Sequence, residues 1–98
     1  MERYITLIRF TDKGLHEAID SVERAEGFRQ DLAARNGRVI DIYWTLGGWD
    51  GAVIFEAPSA EDAAAALLSL GARGYVHAKT MRAFNESEFL RILATAEL

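Results

Sequence analysis

At 98 residues the chain has the length of one domain, taken as residues 1–98, and half of it is hydrophobic, a surplus that already points to self-association. The net charge of −4 is spread along the chain, and Glu23, Glu26 and Asp31 interrupt the nearest basic group (Arg24, Arg29, Arg35, Arg38), so no phosphate-binding stripe forms and nucleic acid is not an expected partner. Zero cysteines exclude disulfides, thiolate metal sites and cysteine nucleophiles; no run reaches the length of a membrane span and no signal-peptide pattern precedes the first strand, so a cytoplasmic protein is expected.

Residues 3–10 (RYITLIRF) predict a first strand rich in β-branched and aromatic types. Tyr4, Thr6, Ile8 and Phe10 share one face, and Ile5, Leu7 and Arg9 the other. Both faces are mostly apolar, which predicts cover on both sides. Thr11-Asp12-Lys13-Gly14 breaks the pattern, and residues 15–20 read as a connector.

A helix is expected from Asp20, or Ser21, as cap, with Glu23 at the capping-box position. Val22, Ala25, Phe28, Leu32 and Ala33 form its apolar stripe. Asn36-Gly37 ends it, with the glycine expected in the left-handed conformation. Residues 38–46 predict a second strand, with Val39, Asp41, Tyr43 and Thr45 on one face. Ile40, Ile42, Trp44 and Leu46 take the other, toward a helix layer.

A glycine-loaded turn, Gly47-Gly48-Trp49-Asp50-Gly51, leads into the apolar third strand at 51–57. Pro58-Ser59 opens a second helix, with Ser59 as cap and Glu61 and Asp62 in the first turn. Its alanines allow close approach to a sheet. Residues 75–84 predict a fourth strand. Asn85 and Glu88 make a capping box for a last helix at 86–96, expected to bury Phe89, Leu90, Ile92 and Leu93.

The order β-α-β-β-α-β plus a helix predicts an α+β, ferredoxin-like sandwich with a four-stranded, antiparallel-type sheet. Strands one and three are expected at its centre, running parallel to each other, with strands two and four at the edges. Helices cover one face. The other carries either the Tyr4 set or the alternate set, and either is too apolar for water. A homodimer packed sheet on sheet, closing a dimeric α/β barrel, follows.

Several residues are candidates for function. Asp50 either bonds the turn amides or acts as an acid or base at a pocket mouth walled by Trp49. His77, alternating with Tyr75, Lys79 and Met81, either is solvated on an edge strand or moves a proton. Arg82 needs a carboxylate, supplied by Asp41, Glu56 or a ligand. Tyr4, Thr6, Tyr43 and Thr45 would line the open face, as a dimer contact or as the wall of a site for a small organic ligand. His16 and His77 lack metal-ligand spacing, and no nucleotide fingerprint, phosphate cradle or Ser-His-Asp order occurs, so neither metal nor cofactor is expected.

Tyr4-Ile5-Thr6-Leu7 through Phe10-Thr11-Asp12-Lys13-Gly14, Glu56-Ala57-Pro58 and Arg82-Ala83-Phe84 together resemble the pattern of GYD-domain proteins over roughly residues 4–90. The Gly-Tyr-Asp turn that names the family reads Gly48-Trp49-Asp50 here. Tryptophan keeps the aromatic surface and lacks the phenolic hydroxyl. The resemblance implies the dimeric α/β-barrel form of the ferredoxin-like fold and no particular reaction. Two functions follow from these readings. One is a homodimeric binding or assembly module that works through its sheet face. The other is a cofactor-independent oxygenase or isomerase for a small aromatic or carbonyl compound, with Asp50 and His77 as its acid–base pair.

Overall fold

The computed structural model describes residues 1–98. Its elements are β1 (Glu2–Phe10), α1 (Asp12–His16), a 3-10 turn (Ala18–Asp20), α2 (Ser21–Ala34), β2 (Arg38–Trp44), β3 (Gly51–Ala57), α3 (Ala60–Ala72), β4 (Val76–Ala83) and α4 (Glu86–Thr95). The sheet order is β2-β3-β1-β4. β1 and β3 are central, as expected, but they run antiparallel, not parallel. The reason is topological. Each crossover skips one strand, so the two strands of each β-α-β unit are not neighbours. In the first unit the intervening strand is β3, which enters from a hairpin with β2; in the second it is β1; each runs opposite to its neighbours.

Cross-strand partners share a face, so the register fixes which residues meet the helices. Tyr4, Thr6 and Ile8 pair with Phe55, Val53 and Gly51 on the covered side. They form the core with Phe28 and Leu32 of α2 and Ala63 and Ala66 of α3. Phe55 is at its centre, stacked on Tyr4 at 5.3 Å and met edge-on by Phe28 at 5.6 Å. Thr6, 1% exposed, shares its hydroxyl with Thr80 of β4 at 2.8 Å, which satisfies both. The alanines of α3 work as expected: Ala63 and Ala66 leave no side-chain bulk between helix and sheet.

Several local expectations give way to identifiable causes. Residues 11–14 start a helix instead of merely breaking a strand, because the Thr11 hydroxyl accepts from Gly14 N at 3.1 Å. A side chain at Gly14 would bring a Cβ to 1.9 Å from Tyr75 O, so only glycine lets α1 lie against the start of β4. Asp20 makes no side-chain cap bond, since the preceding 3-10 turn already delivers the chain to α2. At the end of α2 it is Asn36, φ 64°, that turns left-handed. Gly37 is needed for room instead, as a Cβ there would lie 2.5 Å from Glu56 O. Val22 and Ala33 prove exposed, while Phe28 and Leu32 carry the stripe.

A bulge between Val39 and Asp41 moves Val39 opposite Phe55, onto the covered side; strict alternation had placed it with Asp41 and Tyr43. Ile42 and Trp44 face the helix layer as expected, and the Trp44 indole N–H donates to Ser21 Oγ at 3.1 Å. Leu46 lies in the turn, fully exposed.

The largest departure is α4. Its capping box forms, Glu88 N donating to Asn85 Oδ1 at 2.8 Å and Asn85 N to Glu88 Oε1 at 2.9 Å. That backbone bond, first, then the neighbouring Arg82, holds the Glu88 carboxyl below its usual range. Yet the helix buries no residue: Phe89 is 50% and Leu90 66% exposed. The helix layer is already filled by α2 and α3, and α4 is tied to the body mainly at its first turn, where Arg82 reaches Glu88 at 3.6 Å. The shape reflects this. The radius of gyration is 14.7 Å, against about 13 Å for a compact chain of this length, and the extents are 50 × 31 × 19 Å. No helix is long and apolar enough to cross a membrane.

Candidate functional site

Only one side of the sheet has helices over it. The uncovered side carries the alternate set, and the register groups it in rows. Arg38, Glu56, Arg3 and Ala83 form one row, and Asp41, Ile54, Ile5 and Met81 the next. Tyr43, Ala52, Leu7 and Lys79 follow, and then Arg9 with His77. Ile5, Leu7, Ile54 and Met81 make a continuous apolar centre with charge at both ends.

At one end Glu56 accepts from Arg38 at 2.9 Å and from Arg3 at 3.1 Å. The hydrogen bond from Arg38 is the main reason the Glu56 carboxyl is held below its usual range; Arg3 adds to it, and partial burial opposes both. At the other end stands the glycine turn. Thr45 closes it, its hydroxyl donating to Trp49 O at 2.7 Å and its N–H to Asp50 O at 2.9 Å. Arg9 donates to Gly48 O through Nε and Nη2, and its guanidinium lies 4.5 Å from the Trp49 ring centre. Lys79 lies 5.6 Å from the same ring. Two cations over one half-buried indole make a charged aromatic edge to the uncovered face.

The sequence-picked residues divide between the two sides of the sheet. Tyr43 lies on the uncovered face, and Thr45 and Trp49 in the turn at its edge. Tyr4 and Thr6 do not: both are buried under the helices, because their strand parity matches Phe55 and Val53. Burial, then the neighbouring Glu2 that accepts the Tyr4 hydroxyl at 2.7 Å, raises the Tyr4 phenol above its usual range. Arg82 is also on the covered side and has the ion pair expected of it, but with Glu2 and Glu88, both at 3.6 Å, not with Asp41 or Glu56. It also donates to Arg3 O and Ala83 O.

Asp50 bonds no amide of its own turn through its carboxylate. Its Oδ2 accepts from Phe10 N on β1 at 2.8 Å, and its own N–H donates to Ile8 O at 2.8 Å. The turn is thereby stitched to a strand other than the two it joins. Asp50 lines a cavity between sheet and helices, whereas His77 sits exposed on the opposite face and does not line it. The two acid–base candidates are not brought together within the protomer. No group of three or more histidine, aspartate or glutamate side chains gathers as a metal site. Sequence reasoning missed the Arg9–Trp49–Lys79 cluster. Alternation along β1 and β4 put Arg9 and Lys79 on faces, but only the fold-back of the turn places an indole between them.

The sequence profile of the GYD domain matches residues 4–93. The chain is 32% identical over 91 residues to the Thermus thermophilus "Glutamine synthetase and cystathionine beta-lyase binding protein", covering 92% of this chain and 96% of that one. Among solved structures it is similar to MtbAldR, with a TM-score of 0.59 and 15% identity. That match covers 87% of this chain and 54% of MtbAldR, so this chain spans about half the length of that protein. It is also similar to the Thermus thermophilus protein TTHA0845, with a TM-score of 0.53, 18% identity and coverage of 87% and 95%. At these identities the structures show a shared fold.

Proposed function

The chain belongs to the GYD domain family, and from that membership and the shape of the sheet we propose a binding module that pairs with a second copy through its uncovered face and holds a protein partner beside that contact. The observation that carries the proposal is the apolar centre of that face, Ile5, Leu7, Ile54 and Met81, with no element of the chain above it. Only 12 of the 98 residues are buried, so a lone protomer leaves much of its apolar surface in water. Covering one sheet with another supplies the missing half of the core.

The area is at the small end for a specific interface. Four strands at about 4.8 Å spacing and seven paired residues at about 3.4 Å give a face of roughly 19 × 24 Å. Two such faces remove roughly 900 Å² from water, close to the lower bound of about 1,000 Å² for a specific interface. The charged ends favour one docking geometry over others. The Thermus relative is named for binding two enzymes. That supports a protein client for this chain too, held at the rim where Trp49, Arg9 and Lys79 stand. A small organic ligand at the joint-barrel mouth is compatible with the same assembly. The cofactor-independent enzyme reading would need a second copy to bring His77 to a carboxylate, since Asp50 faces the other way.

Leu7→Glu tests the proposal. It places a carboxylate at the centre of the face and, by two-fold symmetry, places it twice. The dimer is expected to dissociate while each protomer keeps its fold and melting cooperativity. A variant that stays dimeric overturns the assignment of the interface. Surface-immobilised wild type is expected to retain glutamine synthetase or cystathionine β-lyase, and Trp49→Ala to weaken that binding. Binding unchanged in Trp49→Ala removes the rim from the proposal.

A further inference from the structure

The cavity on the covered side takes no part in the proposal above. It has a volume of about 70 Å³ and lies between the sheet and helices α2 and α3. Its walls are mostly apolar, with Phe10, Ala25, Phe28, Ile42, Val53 and Leu70 among them. At about 10–15 Å³ per water-sized occupant, it holds a body of roughly five or six non-hydrogen atoms.

Its polar edge is unusual for a chain with four more acidic than basic residues. Two arginines line it, Arg24 and Arg73, against the single carboxylate of Asp50. Asp50 is committed to the backbone of β1. Arg24 donates to two carbonyls, Glu17 O at 2.7 Å and Gly14 O at 3.4 Å, and lies 4.4 Å from the Tyr75 ring centre. Lys13 lies 4.3 Å from the same ring. None of Lys13, Arg24 and Arg73 forms an ion pair within 4.0 Å, a condition they share with Arg9, Arg29, Lys79 and Arg91; what sets them apart is that they gather at the edge of one cavity.

Arg73 is the most informative of the three. It follows α3 and makes no side-chain hydrogen bond, yet it reaches across to α2. A Cβ on Gly27 would come within 2.9 Å of its Nη1, so the bare backbone there makes room for the guanidinium. Two cations thus flank one tyrosine and a third lines the same cavity, with no anion paired to any of them. Lys13 and Arg73 are exposed, so water screens much of the repulsion among the three charges, and an anion at the cavity edge would lower it further. The guanidinium fork matches a carboxylate, and the cavity matches an apolar body attached to it.

We propose that this cavity is a binding site for a small monocarboxylate with an apolar body of about five or six atoms, whose carboxylate is held by Arg73 and Arg24 beside Tyr75. The site is on the opposite side of the sheet from the proposed dimer contact, so it can fill in monomer or dimer.

The test is an NMR titration of the full chain with 4-methylpentanoate, alongside its neutral amide. The acid is expected to shift the amide signals of Ala25, Phe28 and Tyr75 saturably at millimolar concentration or below, and to bind about tenfold or more tightly than the amide. Arg73→Gln is expected to abolish that preference for the acid and to leave the fold intact, because the Arg73 side chain makes no hydrogen bond or ion pair within the fold. Ala25→Leu is expected to fill the cavity and block both probes. If that variant does not fold, Arg73→Gln alone decides. Equal binding of acid and amide overturns the proposal. So do the absence of saturable shifts, shifts confined to the uncovered sheet face, or an unchanged preference in Arg73→Gln.

Discussion

Phe55→Leu is the sharpest probe of how the sheet is held to its helices. Phe55 is 0% exposed and has an aromatic neighbour on each side, Tyr4 stacked with planes 18° apart and Phe28 edge-on at 87°. Each such pair contributes about 0.5–1.5 kcal/mol beyond burial alone. Leucine keeps most of the apolar volume and removes both, so the loss is about 1–3 kcal/mol. For a domain of this length each kcal/mol moves Tm by roughly 4–8 °C, which gives a fall of roughly 4–24 °C. That is a large share of a total stability of about 5–15 kcal/mol. The assay is thermal unfolding followed by circular dichroism, at one fixed protein concentration so that mass action does not enter. Leu46→Ala, at a fully exposed turn position, is the control and should stay within about 0.5 kcal/mol of wild type. A Phe55→Leu shift no larger than the control's would refute the aromatic stack as the centre of the core.

Two further outcomes follow from named contacts. Because Arg38 and Arg3 depress the Glu56 pKa below its ordinary value of 4.5, that carboxylate stabilises the fold above about pH 4.5, and the contribution is lost as pH falls through the lowered folded value. Glu56→Gln should therefore cost about 1 kcal/mol at neutral pH, given how exposed its arginine partners are, and nothing in strong acid; a constant difference in unfolding free energy across that range would contradict the pairing. Helix α4, ten residues long and without buried residues, is too short to be stable alone in water, so its amides from Leu90 to Thr95 should exchange far faster than those of β1 in a protomer that is not self-associated. Equal protection there would mean that the helix is held by contacts the fold does not show.

The element types were legible because their signals are local. The β-branched and aromatic run at residues 3–10, the Ser59 and Asn85 caps and the proline after β3 act within a few residues of themselves, and each marks the element or boundary it should. What failed depends on partners distant in the chain. The bulge at Val39/Asp41 arises from pairing with β3 and flips a face that alternation alone assigns to the other side. Which face of β1 is buried depends on where the helices cross, so Tyr4 and Thr6, polar enough to suit an open face, sit beneath α2 and α3 instead. Gly14 and Gly37 are glycine for room against Tyr75 and Glu56, contacts invisible in sequence. The α4 pattern gave the helix and its cap, but the expected burial of Phe89, Leu90, Ile92 and Leu93 does not occur. It could not show that its apolar side finds no place on this chain, since a helix stripe carries no record of whether the covering surface is its own or another molecule's.

For the candidate site the same limit applies more severely. The turn Gly47–Gly51 is conspicuous in sequence, but its role follows from three contacts made at long range: Asp50 to Phe10 and Ile8, Arg9 to Gly48, and Arg9 with Lys79 around Trp49. They make the turn a clasp that holds the hairpin to β1 and presents an indole at the edge of the uncovered face. The most direct measurement is the mass of the wild-type protein by sedimentation equilibrium across the micromolar range. Twice the 10.9 kDa of one chain is expected, falling toward one chain only on dilution or in Leu7→Glu. A mass of 10.9 kDa at every concentration would contradict the pairing of two sheet faces on which the proposed function rests.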